Sequence, residues 1–140
     1  MMMSGPALKH VDSHSAIHEA ALIEATELTK ILDHLVTNNQ LDKALEVAFV
    51  IVEHWETRTL QHAESEEEGL YKELEESSPE LRDSIIALKR DHNLLRLLVK
   101  EIKTILDGKG VSDEVVQRLQ ALILVDLLHN QEEEKILPHH

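Results

Sequence analysis

Apolar residues recur at alternating steps of four and three through four long segments of this chain, roughly residues 7–37, 40–75, 79–107 and 113–136. This spacing keeps one face of each α-helix apolar and is typical of the line along which helices pack in a bundle. No alternation of apolar and polar residues competes with it as evidence for strands. Turn-forming residues separate the segments, in TNNQ at 37–40, SSPE at 77–80 and DGKGVSDE at 107–114. The sequence therefore predicts an all-α, up-down-up-down four-helix bundle that forms a single domain over residues 1–140.

Each predicted contact line is interrupted once by strongly polar residues. Counted from the intervening turns at ~1.5 Å per residue, the four interruptions lie at the same depth to within a few Å. A buried charge without a partner costs several kcal/mol, so one in every helix would unfold a small bundle. These side chains must therefore satisfy one another or a group bound between them. The candidate metal ligands are His14 and His18 in the first segment, His62 and Glu66 in the second, His92 in the third, and His129 and Glu133 in the fourth.

A His-x-x-x-Glu pair occurs twice, as His62 with Glu66 and as His129 with Glu133. Residues at i and i+4 share a helix face with Cβ atoms ~5–6 Å apart, and two metals in a shared site lie ~3.5–4 Å apart. Each pair can thus supply an imidazole together with a carboxylate that bridges two ions. Imidazoles with two carboxylates suit iron, with zinc, copper or nickel also possible. The chain has no cysteine, which excludes zinc-thiolate sites and thiol catalysis.

The chain has 27 acidic and 14 basic side chains, which gives a formal net charge of −13 at pH 7. This charge opposes general electrostatic binding to nucleic acid or to an anionic membrane. The longest apolar runs, VAFVIV at 47–52 and ALILV at 121–125, are too short to span a bilayer. The N-terminus lacks the pattern of a signal peptide, so we expect a cytoplasmic protein.

Four stretches together resemble the hemerythrin-like family, the bacterial His-His-Glu cation-binding domains. They are a histidine on the first helix, HAESEE on the second, RDHNLLR on the third and HNQEEEKILP on the fourth. The resemblance covers nearly the whole chain and implies a hemerythrin-like bundle around two iron ions with an oxo or hydroxo bridge. By position, it implies that His62, His92 and His129 are terminal ligands. It also implies that Glu66 and Glu133 bridge the two ions.

The sequence departs from the pattern of hemerythrin itself on three helices. Arg96 follows His92 by four residues, where a second histidine is usual. The first helix instead has both His14 and His18 on its contact line, and the fourth has Glu133 in place of an aspartate one residue later. We infer that the doubled histidine has moved to the first helix, which keeps five histidines and two carboxylates. If only one of the two binds, one metal gains an open position or the second metal is weakly held.

The ligand types and the resemblance leave three functions open. The first, which we favour, is a di-iron binding protein that takes O2 or a related small ligand as a carrier, store or sensor. Its imidazole-rich ligation differs from the carboxylate-rich di-iron sites of ferritin-like enzymes. The second is a di-iron redox enzyme acting on peroxide or nitric oxide, and the third is a metal storage or buffer protein. The sequence does not separate the first two.

Several polar residues near the candidate ligands allow two interpretations. Asp126 lies one turn before His129 and either orients a ligand imidazole or hydrogen-bonds elsewhere. Glu67 and Glu134 either belong to a solvated acidic face or contact ligands from outside. The other glutamates of the two acidic runs are expected on that solvated face: Glu64, Glu68 and Glu132. Three histidines off the contact lines are expected at the surface or rim: His10, His34 and His54.

We expect His14→Ala and His18→Ala each to reduce bound iron below two per chain without unfolding the bundle. The guanidinium of Arg96 stays protonated and cannot ligate, so the ligand count is complete only if both histidines bind. Metal analysis after reconstitution and circular dichroism of each variant test this. Two irons retained in either variant, with altered ligand kinetics, would favour a second histidine that lines the entrance or donates a hydrogen bond to the bound ligand.

Overall fold

The computed structural model describes residues 6–137, with side chains from residue 16 onward, and this range is helical apart from short connections. In chain order the first elements are α1 (Pro6–Thr37), α2 (Leu41–His54), a π-helical turn (Trp55–Leu60), α3 (Gln61–Glu68) and α4 (Leu70–Ser77). A 3-10 turn (Pro79–Leu81), α5 (Arg82–Lys109) and α6 (Asp113–Ile136) follow.

The helices pack as a four-sided bundle. The elements from α2 to α4 form one composite arm, and α1, α5 and α6 form the other three. The α1 helix contacts α2 and α6, while α5 contacts α6 and the composite arm. Short connections reverse the chain between successive arms. The predicted all-α four-helix bundle is therefore confirmed.

The composite arm is not the continuous helix that the sequence predicts over residues 40–75. Its α2 helix widens into the π-helical turn, and the chain breaks again at Gly69, whose φ of −112° and ψ of −86° are not helical. A π-helical turn accommodates an extra residue and so changes which side chains face the core. Within the turn Trp55 and Thr59 are buried, beyond it Ala63 and Glu66, and beyond the break Tyr71. The two interruptions therefore set which side chains of this arm reach the interior.

Two apolar clusters fill the bundle on either side of its polar level, which is the depth at which the side chains predicted as metal ligands lie. The smaller cluster is built on Tyr71, Ile85 and Leu88. Along the composite arm, α5 and α6, the polar residues predicted as ligands fall between members of the two clusters. Apolar side chains thus close the polar level at both ends, which strengthens electrostatic interactions inside it. Fully buried members of the larger cluster include Leu32, Ile51, Trp55, Leu95, Ile102, Leu119 and Leu122.

The outer faces of the bundle are charged and carry ion pairs between helices. Arg58 pairs with Glu24 at 2.8 Å, and Lys103 pairs with Glu56 at 2.9 Å. Exposed pairs of this kind contribute little to stability because water and salt screen them. The apolar contact lines, rather than surface charge, hold the helices together. No helix in the described part of the chain combines the length and apolar character that crossing a bilayer requires.

We expect Gly110→Ala to lower the free energy of unfolding by about 1–3 kcal/mol, the usual cost of a strained backbone conformation. Gly110 ends α5 with a φ of 78° and a ψ of −160°, which almost only glycine adopts. No atom lies within 4 Å of an added Cβ, so the cost arises from the backbone alone. Denaturant-induced unfolding measures it.

Gly108→Ala is the matched control for this substitution. Gly108 lies inside α5, and a Cβ there also meets nothing within 4 Å. Because alanine favours the helix over glycine, this variant is expected to be as stable as the original protein or slightly more stable. Equal destabilisation by the two substitutions would contradict the assignment of strain to Gly110.

Candidate metal centre

Six of the seven predicted ligands converge at the polar level of the bundle and form two groups. Within each group, the ligand atoms lie within 4.8 Å of one another. The first group contains residues from α3, α5 and α6, and the second contains residues from α1 and α3. All six are buried except His62, which is half-buried. The side chain of His14 lies outside the described residues. The first group is Glu66, His92, His129 and Glu133, and the second is His18, His62 and Glu66.

Two carboxylates each face both groups of histidines. Glu66 directs Oε1 towards Nε2 of His92 at 3.3 Å and Oε2 towards Nε2 of His18 at 3.4 Å. Glu133 directs Oε2 towards Nε2 of His129 at 3.4 Å and Oε1 towards Nε2 of His18 at 3.5 Å. Each carboxylate thus offers one oxygen to either side. This arrangement is able to bridge two cations.

Two further carboxylates orient the imidazoles of the first group from outside. Nδ1 of His92 donates to Glu67 at 2.6 Å, and Nδ1 of His129 donates to Asp91 at 3.0 Å. A proton on Nδ1 leaves the lone pair of Nε2 directed into the cluster, which is the tautomer that binds a metal. The two Nε2 atoms lie 3.1 Å apart. Converging lone pairs repel unless a proton or a cation lies between them, so the donor set fits a bound metal.

In the metal-free cluster, nearby carboxylates favour a proton on the imidazole of His129. Burial lowers the pKa of His129, but the carboxylates of Glu133 and Asp91 outweigh burial and raise this pKa to about 9. In the metal-free cluster these carboxylates therefore favour the protonated form of this imidazole. Because a metal ligand must be an unprotonated nitrogen, protonation of His129 opposes metal binding at this nitrogen.

Comparison with known families agrees with this geometry. The family model described as the hemerythrin HHE cation binding domain matches residues 12–139. The chain belongs to this hemerythrin family. No curated protein and no solved structure gave a match. The resemblance predicted from the sequence is thus confirmed, and the family and the buried histidine–glutamate cluster together support cation binding by this HHE domain.

Tyr71 is a residue of the HHE domain's cluster that sequence analysis missed. Its hydroxyl donates a short hydrogen bond to Oε2 of Glu133 and lies 3.4 Å from Nε2 of His92. Its ring stacks on that of His92, with centroids 5.5 Å apart and planes inclined by 11°. Burial, followed by the nearby carboxylates, raises the pKa of Tyr71, which keeps the hydroxyl protonated. Tyr71 lies off the predicted contact line. It faces the interior because the helix break at Gly69 changes which side of this arm is turned inward.

Asp91 is the second missed residue, although it immediately precedes His92. Its bond to Nδ1 of His129 shows that Asp91, and not Asp126, orients this imidazole. From the sequence, Glu67 is expected either on a solvated acidic face or in contact with a ligand. It is half-buried and contacts His92. The remaining glutamates of the acidic runs are exposed: Glu64, Glu68, Glu132 and Glu134.

The histidines predicted off the contact lines do not join the cluster where the structure describes them. His34 is exposed on α1. His54 is half-buried, and its Nε2 lies 3.5 Å from a carboxylate oxygen of Glu24 on the outer side of the bundle. His10 lies outside the residues whose side chains are described.

We expect Asp126→Asn to stabilise the metal-free HHE domain, and to do so increasingly as the pH rises from 4 to 7. Asp126 is 1 % exposed and its Oδ1 has no hydrogen-bond partner among the described residues. Burial raises the pKa of Asp126 from 3.8 to about 6. The folded state therefore resists ionisation, so stability is lost as the pH rises through this window. At ~1.4 kcal/mol per pKa unit the full penalty is about 3 kcal/mol.

Denaturant-induced unfolding in the presence of a chelator, repeated across this pH range, checks the Asp126 prediction. Asp33→Asn on the exposed face of α1 is the control, because it removes the same charge from a solvated position. A gain in stability that does not vary with pH, or that matches that of Asp33→Asn, would show that the ionisation of Asp126 is not penalised by folding.

Proposed function

We propose that this HHE domain binds two iron ions at the shared cluster, with His62, His92 and His129 as terminal ligands. In this proposal Glu66 and Glu133 bridge the two ions. The single observation that carries it is the placement of these two carboxylates, each with one oxygen towards either group of histidines. A site for one ion would need only one of the two groups. Zinc or another divalent metal also suits these donor types.

The two groups offer different numbers of ligands. Four described residues form the group around His92 and His129, and three form the group around His18 and His62. We therefore propose that the first group holds its ion more tightly and that the second group leaves room for an added ligand. His14 belongs to the same helix as His18 and completes the second group if it binds.

Surrounding residues have separate tasks in the proposed site. Glu67 and Asp91 hold the proton on Nδ1 of their imidazoles, which keeps Nε2 available for metal. Tyr71 donates a hydrogen bond to Glu133 and so limits the orientations of this carboxylate. The two apolar clusters exclude bulk water, which strengthens each of these interactions.

We propose that the domain takes O2 or a related small ligand as a carrier, store or sensor. When bound, a reduced iron pair would supply reversible binding of such a ligand. The described donor set contains four imidazoles and only two carboxylates, in support of a binding protein rather than a carboxylate-rich oxidase. Its buried position between two apolar clusters suits a small ligand rather than a large one.

Metal analysis and optical spectra of the anaerobically reduced protein, before and after O2, test the proposal. We expect two irons per chain and a ligand-to-metal charge-transfer band that appears with O2 and disappears when O2 is removed. His129→Ala should lose bound iron because it removes a ligand of the first group. His34→Ala is the matched control and should keep two irons, since His34 is exposed on the outer face of α1.

Each other outcome of this experiment identifies a different function. Net consumption of peroxide or nitric oxide over many turnovers would make the domain a redox enzyme. Zinc without a visible band would indicate a metal store or a structural site. Equal loss of metal from His129→Ala and His34→Ala would contradict the ligand assignment.

A further inference from the structure

Arg96 occupies the position one turn after His92 on α5, and its guanidinium is held at two points. Nη2 donates to Oε2 of Glu67 at 2.9 Å, and Nη1 donates to Oδ1 of Asn93 at 2.9 Å. The side chains of Arg96 and Glu67 are only 35 % and 25 % exposed. The pair is therefore less screened by water than the ion pairs on the outer faces.

The oxygen that Arg96 contacts is also the one that orients His92. Oε2 of Glu67 accepts from Nδ1 of His92 at 2.6 Å and from Arg96 at 2.9 Å. One carboxylate oxygen thus joins a guanidinium to an imidazole whose other nitrogen faces the metal cluster. A guanidinium fixed by a second bond to Asn93 restricts where this oxygen can lie, because arginine donors have a rigid geometry.

His129, the other imidazole of the same group, has a different environment. Its Nδ1 donates to Oδ2 of Asp91 at the longer distance of 3.0 Å. Within the described residues, neither arginine nor lysine forms an ion pair with Asp91. The two histidines of one group are therefore oriented by similar carboxylates, and within the described residues only Glu67 is also paired with an arginine.

We propose that Arg96 is a positioning residue for metal binding, which acts on His92 through Glu67. It holds Glu67 in the orientation that fixes the His92 imidazole, so that Nε2 points at the metal before the metal arrives. Its positive charge also offsets the charge of Glu67 near the cluster. The inference rests on the proposed role of His92 as a ligand, but it needs neither iron nor O2.

Titration of the metal-free protein with Co²⁺ alone, in competition with a chelating indicator, tests the role of Arg96. We expect Arg96→Gln to weaken binding of the tighter Co²⁺ about tenfold, the lower end of the usual effect of residues that orient a ligand. Arg96→Lys keeps the charge but not the two-point geometry and should recover part of the affinity. The visible spectrum of bound Co²⁺ should also change in Arg96→Gln, because the donor geometry changes.

Arg90→Gln is the matched control. Arg90 is exposed on the same helix, so its substitution removes the same charge without touching Glu67. A Co²⁺ affinity and spectrum in Arg96→Gln that equal those of Arg90→Gln would overturn the proposal. The proposal would also be overturned if Arg96→Gln lowered the thermal midpoint of the metal-free protein and left Co²⁺ binding unchanged. Arg96 would then be a structural residue.

A double-mutant cycle with Glu67 isolates the path through which Arg96 acts. Glu67→Gln should weaken Co²⁺ binding at least as much as Arg96→Gln, and the double variant should be no weaker than Glu67→Gln alone. Additive losses would mean that Arg96 acts independently of Glu67 and would contradict the proposal. If the unmodified protein bound no Co²⁺, the ligand set and this inference would fail together, whereas normal binding with an unchanged Arg96→Gln variant overturns only the inference.

Discussion

The structure depends on the sharing of two buried carboxylates, Glu66 and Glu133, between two groups of histidines. Their oxygens lie 3.3–3.5 Å from imidazole nitrogens of His18, His92 and His129. In an apolar interior such charges are tolerated only with partners close by, so they draw all four arms of the bundle to one level. The same donors are of the types that bind a cation.

The surrounding bundle makes this arrangement possible. Apolar clusters above and below the cluster provide the packing that offsets the desolvation of its polar groups. They also keep water from competing for the donors, which makes each carboxylate–imidazole contact stronger. A second layer of side chains, Glu67, Asp91 and Tyr71, then orients the donors. The same packing that stabilises the fold thus creates the conditions for cation binding.

Much of the site could be predicted because helical periodicity converts sequence spacing into direction and depth. Six of the seven predicted ligands meet in two groups, although they come from four different arms of the bundle. Asp91 and Tyr71 could not be found in the same way. Both lie off the contact lines, and each reaches a residue on another helix: Asp91 contacts His129, and Tyr71 contacts Glu133. Periodicity along one helix carries no information about such contacts.

The sequence by itself determined the all-α bundle and the level at which histidine and glutamate side chains face its interior, because both follow from a repeat of three and four residues. Only the tertiary structure decided which carboxylate orients which imidazole. That choice depends on how neighbouring helices are rotated against each other and on the two interruptions of the composite arm. The break at Gly69 turns Tyr71 inward, and the approach of α3 to α5 brings Glu67 between His92 and Arg96. These contacts join residues distant in sequence, so their geometry exists only once the helices have packed.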